Sequence, residues 1–307
     1  LSATNQSPFT LIVIAGPTAV GKTAIALRIA SLLKTSIIST DSRQFYREMN
    51  AATAKPSVNE LASVPHHFIN SLSIHDTYSA GQYERDSIQL LAQLFNSHST
   101  VVAVGGSGLY IQALVEGLDT FPDVPDSIQQ DLQDMWEREG LQGLKDTILR
   151  EDPDYAAEVD MQNPRRLIRA LGVTRTAGIP YSQYRINQKT NRPFKVHWLR
   201  LSLPRDVLYD RINSRVDTFF QLGWLEEIER FYPFRHLKAL QTVGYSEMFD
   251  HLEGKIDFQT AVEKVRQHSR NYAKRQETWL RKHGGEISFN PSDWEGIMSY
   301  LLERNIL

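Results

Sequence analysis

LIVIAGPTAVGKT, residues 11–23, reads as an apolar run, a loop bracketed by Gly16 and Gly21, and the first turn of a helix that runs on through Ala24-Ile25-Ala26-Leu27-Arg28-Ile29-Ala30. Gly16, Pro17, Thr18, Ala19, Val20, Gly21, Lys22 and Thr23 fit G-x-x-x-x-G-K-[ST], the phosphate-binding P-loop, in the strand–loop–helix setting that motif requires. Backbone N–H groups wrapped over a helix N-terminus face inward, and the helix dipole adds partial positive charge. Lys22 supplies a full charge, and the Thr23 hydroxyl can ligate Mg²⁺. The loop therefore predicts a polyphosphate ligand. It does not say which one, or what is done to it.

The rest of the composition narrows the classes. A chain of 307 residues with 41% hydrophobic and 23% charged residues can bury one large or two modest cores. Cysteine is absent, which excludes a disulfide framework, a thiolate zinc site and a cysteine nucleophile. No apolar run approaches the ~18 residues of a membrane helix, and LSATNQSPF at the start lacks a basic n-region. A cytoplasmic protein without a membrane partner is expected. Net charge is only −2, but it is unevenly spread. Residues 116–160 carry 14 acidic and 3 basic side chains, residues 163–211 carry 11 basic and 2 acidic, and residues 262–282 carry 7 basic and 2 acidic. Such basic blocks are either solvated helix faces or the surface for a polyanion wider than one small phosphate.

SIISTD, residues 36–41, predicts a second strand ending at Asp41, followed by Ser42, Arg43 and Gln44. Polar residues past the carboxyl end of a parallel strand stand where open α/β sheets bind ligands. Residues 51–65 read as loop or short helix, and Pro65-His66-His67-Phe68-Ile69-Asn70 as a short extended segment. Adjacent histidines point to opposite faces of a strand, which argues against a shared metal. Residues 78–94 have helical spacing. Residues 100–104 form a third core strand that runs into Gly105-Gly106-Ser107-Gly108-Leu109-Tyr110. A Walker B carboxylate would stand at that strand end; glycine stands there instead. No Asn-Lys-x-Asp is present, which disfavours a GTP switch.

Pro122 and Pro125 mark a break, after which residues 126–136, 140–150 and 163–171 read as helices. Asn163 suits the N-cap and Pro164 the first helical position of the last, whose Arg165 and Arg169 share a face. His197 to Leu203 returns to strand; residues 205–216, 219–232 and 260–281 are helical. Arg266, Arg270 and Lys274 step along one face of the last helix. The fold expected is α/β: a P-loop NTPase-like core with a parallel sheet flanked by helices (residues 1–118 and 200–307), plus an all-helical insertion (119–199).

GPTAVGKT, DSRQFY at 41–46, TAKP at 53–56, PHH at 65–67, GGSGLY at 105–110, RRLIRAL at 165–171 and VGYSE at 243–247, in this order, resemble the tRNA dimethylallyltransferases, over roughly residues 11–282. The lack of cysteine points to their bacterial type. The resemblance implies transfer of a dimethylallyl group from dimethylallyl diphosphate to N6 of the adenosine 3′ to the tRNA anticodon, by a monomer using Mg²⁺ at Thr23. The P-loop would then hold a diphosphate leaving group, and no Walker B carboxylate would be needed.

By the same resemblance Asp41 is the general base toward N6–H, with a Mg²⁺-shell or capping role as its alternative. Arg215 in the R-x-x-x-R-V helix is the diphosphate arginine, with Arg211 one turn away as competitor. Lys22 stabilises departing charge, and the Thr18 hydroxyl lies near substrate. Asp41, Ser42, Arg43, Gln44, Ser107, Gln129, Arg165, Arg166, Leu167, Ile168 and Arg169 match positions that meet tRNA. Ser107 replaces the usual Thr and keeps a hydroxyl, whereas Gln129 replaces a frequent Arg and loses phosphate attraction. The basic face at Arg266, Arg270 and Lys274 would follow the RNA backbone; Tyr46, His67, Phe68 and Tyr110 either pack or stack on bases. Three rival readings share parts of this pattern. They are a small-molecule P-loop kinase, a prenyltransferase of free AMP or ADP, and an RNA-binding scaffold with a degenerate nucleotide site. The missing strand-end carboxylate counts against the first, the basic insertion against the second, and intact Lys22, Thr23 and Asp41 against the third.

Overall fold

A computed structural model describes residues 8–186 and 189–307. By internal packing the chain forms two units, Leu1–Glu116 with Asn191–Leu307, and Gly117–Thr190.

The larger unit is built on six parallel strands in the order β3-β2-β4-β1-β5-β6. These are β1 (Thr10–Ala15), β2 (Ile37–Ser39), β3 (His66–His67), β4 (Thr100–Gly105), β5 (Lys195–Leu201) and β6 (Ser288–Phe289). Leu11 to Ala15 are all buried, as the central strand of a sheet covered on both faces must be. α1 (Lys22–Leu33) buries Ile25, Ala26, Ile29 and Ala30 in the same core as Ile12, Ile14 and Val102. Register sets the functional edge: Ala15 lies beside Gly105 on one side and Arg200 on the other, and Ser39 beside Val104. The P-loop, Asp41 and the Gly105-Gly106 pair therefore leave the sheet at one level, at the carboxyl ends of its strands.

Several elements and boundaries differ from the sequence reading. α4 (Gly108–Val115), in place of a glycine-rich loop, starts directly after β4. β6 and α12 (Trp294–Glu303) lie near the chain's end. β2 stops at Ser39, so Thr40 and Asp41 belong to the loop. The helix expected over 219–232 is two: α8 (Arg205–Gln221) stops, and α9 (Trp224–Phe231) begins after Gly223 at φ +75°. α8 and α9 join α10 (Ser246–Leu252) and α11 (Phe258–His283) in a second core that includes Val216, Phe219, Trp224, Tyr245 and Val265. A short α2 (Val58–Ser63) with a Ser57–Glu60 capping box and α3 (Ala80–Leu94) complete the unit.

The smaller unit is helical among its described residues. α5 (Asp126–Glu151) bends at Gly140, φ +66°, which divides it where the sequence places two helices. α6 (Pro153–Glu158) follows, capped by buried Asp152, whose carboxylate accepts from Tyr155 N and from both Ser182 N and Ser182 Oγ. Asn163 caps α7 (Pro164–Ala177) by accepting from Arg166 N, as the sequence predicts. Leu132, Leu144, Ile148, Leu167 and Leu171 form the core. No helix among the described residues is long and apolar enough to cross a membrane.

Candidate active site

The P-loop turns at Gly21, φ +105°, a conformation open to glycine at little cost. Lys22 is the first residue of α1, and its Nζ donates back across the loop to Gly16 O at 3.0 Å and Pro17 O at 2.8 Å. Burial pushes the ammonium down from 10.5 to about 8, with Asp41 pulling it up and Arg215 pushing it further down. From α8, Arg215 donates to Thr18 Oγ1 at 3.0 Å. Burial also lowers its guanidinium, and Asp41 again opposes the shift. Arg211 is exposed and lines a second groove with Ala19, Ser214 and Arg215 itself, beside the loop but not on Thr18. The structure thus brings Arg215, and not Arg211, onto the loop's hydroxyl.

Behind the loop, Gln276 of α11 accepts from Thr18 N at 2.8 Å and donates to Gly106 O at 2.9 Å, fastening the P-loop to the strand end of β4. A Cβ on Gly106 would stand 2.2 Å from Gln276 Nε2, and one on Gly105 would stand 2.2 Å from Thr40 Oγ1. The missing Walker B carboxylate has a steric reason: no side chain fits at either position. Gln276 escaped the sequence reading, because it lies on a packed helix 258 residues from Thr18 and a lone glutamine carries no motif.

Asp41 stands at the centre. Its Oδ1 accepts from Arg43 N at 3.1 Å, leaving Oδ2 as a second acceptor. It lines two cavities at once. One, of about 330 Å³, is lined by apolar Ile212, Val216, Phe219 and Val265. Thr18, Ser42, Ser107, Arg215, Tyr245 and Tyr272 add polar groups to the same lining. The other, of about 30 Å³, is bounded by Lys22, Thr23, Asp41, Gln44, His66 and Gly105 among others. Asp41 is the residue common to both. Ser107 Oγ accepts from Ser42 N at 3.3 Å and also bonds Tyr272, whose phenol is pushed up by burial and by Asp41. Tyr245 OH donates to buried Glu227 at 2.6 Å, and the same carboxylate accepts from Asn50 N and Ala51 N. That pins the 49–55 loop against α9. Burial and Glu227 raise the Tyr245 phenol, which keeps it a donor.

Several sequence-predicted residues are occupied within the chain. Both ends of the Gln44 amide are engaged, accepting from Ser39 Oγ and donating to Ala54 O. Arg43 donates to Ala239 O at 2.7 Å. Phe68 and Tyr110 pack with Phe45 and Tyr83 in one ring cluster, though Tyr110 also lines the larger cavity, and Tyr46 is buried. Arg266 pairs with Asp217 and Glu263, and Arg270 donates to Asn213 Oδ1. The basic face expected on α11 is therefore largely spent on tying that helix to α8. In the helical unit Arg165, Arg166 and Arg169 are exposed, Ile168 is half-buried and Leu167 is fully buried. Leu167 serves the core there, and Arg169 lies over the Phe121 ring. Gln129 is exposed, and its amide donates to Val124 O at 3.0 Å.

The donors beside Thr23 suit a hard cation. Thr23 and Asp41 bound one small cavity together with Gln44 and Gly105. Oxygen donors with room for water match Mg²⁺.

A P-loop, a basic side chain from a later helix and a carboxylate just past the next strand define an α/β protein of the P-loop class. Within that class the chain belongs to the IPP transferase family, whose model matches residues 44–283. It is 46% identical over 272 residues to the tRNA dimethylallyltransferase of Christiangramia forsetii, covering 89% of this chain and 90% of the relative. It is 43% identical over 298 residues to tRNA dimethylallyltransferase 1 of Phocaeicola vulgatus, covering 97% and 99%. Among solved structures it is similar to the full-length tRNA isopentenylpyrophosphate transferase of Bacillus halodurans (TM-score 0.70, 31% identity, 96% and 95% covered). It also resembles a eukaryotic dimethylallyltransferase solved acting on tRNA (TM-score 0.79, 24% identity, 97% and 80% covered), a likeness of fold.

Proposed function

We propose that this transferase moves a dimethylallyl group from dimethylallyl diphosphate to N6 of the adenosine 3′-adjacent to the anticodon of tRNA, releasing diphosphate. The observation that carries the reading is the double placement of Asp41, which borders both the phosphate-side cavity and the larger, half-apolar one. A group there touches the acceptor and the leaving group together.

The P-loop amides, Lys22 and Arg215 would hold the diphosphate, and their charge gains value as the allylic C–O bond breaks and negative charge builds on oxygen. Thr23 would hold Mg²⁺, which when bound would neutralise part of that charge. Ile212, Val216 and Phe219 offer the five-carbon group an apolar wall and exclude water from the allylic centre. The target adenine, turned out of its stack, would enter past Ser42, Ser107 and Tyr245. Asp41 takes the N6 proton as the C–N bond forms. In the helical unit Arg165, Arg166 and Arg169 would meet phosphates of the anticodon arm and position it without reading sequence. The protein acts as a cytoplasmic monomer on this reading.

The test is incubation of the purified chain with labelled dimethylallyl diphosphate, Mg²⁺ and unmodified tRNA. Label in tRNA is the expected result. Label in AMP supplied instead, with none in tRNA, would establish the free-nucleotide reading and overturn this one.

A further inference from the structure

His66 lines the small cavity, and the transfer chemistry above gives it no task. It lies on β3, paired with Ile37, and shares the cavity of about 30 Å³ with Lys22, Thr23, Asp41 and Gln44. Its Nδ1 is 2.7 Å from Val64 O. A carbonyl accepts only, so Nδ1 carries the proton and Nε2 carries a lone pair. Nε2 is buried and has no hydrogen-bond partner. A buried acceptor left without a donor costs free energy, and native structures seldom leave one so. The cavity exceeds the ~10–15 Å³ that one water needs, and its wall offers several polar groups.

We infer that His66 is a positioning residue: its Nε2 accepts a hydrogen bond from a water that ligates the divalent cation held at Thr23. The chemistry balances on that one water. Its two protons need two acceptors, supplied by His66 Nε2 and the Asp41 carboxylate. Its oxygen lone pair is then left for the cation. Gln44 keeps the wall rigid, since both ends of its amide are fixed. His66 therefore orients an aquo ligand and does not bind the metal. The inference rests on the Mg²⁺ assignment made above.

The experiment uses Mn²⁺ as the probe, with inorganic diphosphate, on the full chain. Electron paramagnetic resonance gives Mn²⁺ affinity, and pulsed measurements report nitrogen in the first shell. Loss of an outer-shell partner costs roughly 10–100-fold in metal affinity, so His66→Phe should weaken Mn²⁺ at least tenfold while leaving metal-free diphosphate binding unchanged. His66→Gln, which restores an acceptor, should recover most of it. His66→Ala, smaller than the native ring, gives the same reading should Phe not fold. Wild-type affinity in His66→Phe or His66→Ala would overturn the inference, as would the strong ¹⁴N coupling of a directly bonded nitrogen to Mn²⁺ in the wild type. If the unaltered protein took up no Mn²⁺ with diphosphate, the cation site itself would fall, and His66's role with it.

Discussion

Above about pH 8 the P-loop should begin to release its diphosphate, because Lys22 is held at about 8 by burial in place of its usual 10.5. A bound diphosphate restores the ammonium, so binding becomes coupled to proton uptake. Near pH 7 roughly nine-tenths of the free protein already carries the proton; near pH 9.5 only about 3% does, a loss of roughly 30-fold in apparent affinity, approaching tenfold per pH unit. The ligand adds no competing slope, since the second phosphate ionisation, near ~6, is complete. Isothermal titration with dimethylallyl diphosphate across that range, in two buffers of different ionisation enthalpy, measures both the slope and the proton taken up. Lys22→Met should bind weakly and without that slope. A wild-type affinity flat with pH, or an equal slope in Lys22→Met, would refute the argument. Stability of the free protein runs the other way. Between the folded value and the unfolded one the unfolded chain binds more protons, so unfolding free energy rises with pH through that window, by up to roughly 3 kcal/mol. Lys55, also lowered to about 8, contributes with the same sign. The difference between wild type and Lys22→Met in denaturant titrations isolates the share that belongs to Lys22.

Asp41→Asn should lower the transfer rate by ~10²–10⁴ and leave RNA affinity near wild type, as a general base predicts; single-turnover rates beside RNA binding check it. Arg215→Met removes the donor on Thr18 Oγ1 and should cost about 10²–10³ in kcat, with Arg211→Met close to neutral in the same assay. Arg165→Ala with Arg169→Ala should reduce the slope of log K against log salt for tRNA by about one to two, read from binding at several ionic strengths. Gly106→Ala drives a methyl into Gln276 and should destabilise by about 1–3 kcal/mol, seen as a lower denaturant midpoint.

The β1–loop–α1 unit was legible because three local signals agree there: an apolar strand run, glycines at fixed offsets, and helical spacing beyond. Asn163-Pro164 was legible for the same reason, its capping chemistry being written in adjacent residues. α4 was not. Gly108–Val115 is apolar nearly throughout, with Ile111, Ala113 and Leu114 fully buried, so no helical period stands out. β6 has two residues, too few for any alternation. The break between α8 and α9 was announced only by Gly223. In the site, residues on the strand-end loops could be found from motif order. Those that brace them could not: Gln276, Tyr272 and Glu227 reach the site through tertiary packing alone, and nothing near them in sequence marks it. Gln44 and Arg266 show the converse, polar side chains read as facing a partner but engaged inside the chain.

What leaves the P-loop cradle is the central claim: an isoprenoid carbon, with the phosphorus–oxygen bond untouched. Dimethylallyl diphosphate carrying ¹⁸O at the bridge between C1 and phosphorus, turned over with unmodified tRNA, decides it by mass spectrometry of the products. The mechanism predicts all of the ¹⁸O in released diphosphate and none in the modified nucleoside. Isotope recovered in dimethylallyl alcohol, with a diphosphoryl group on the acceptor, would contradict it.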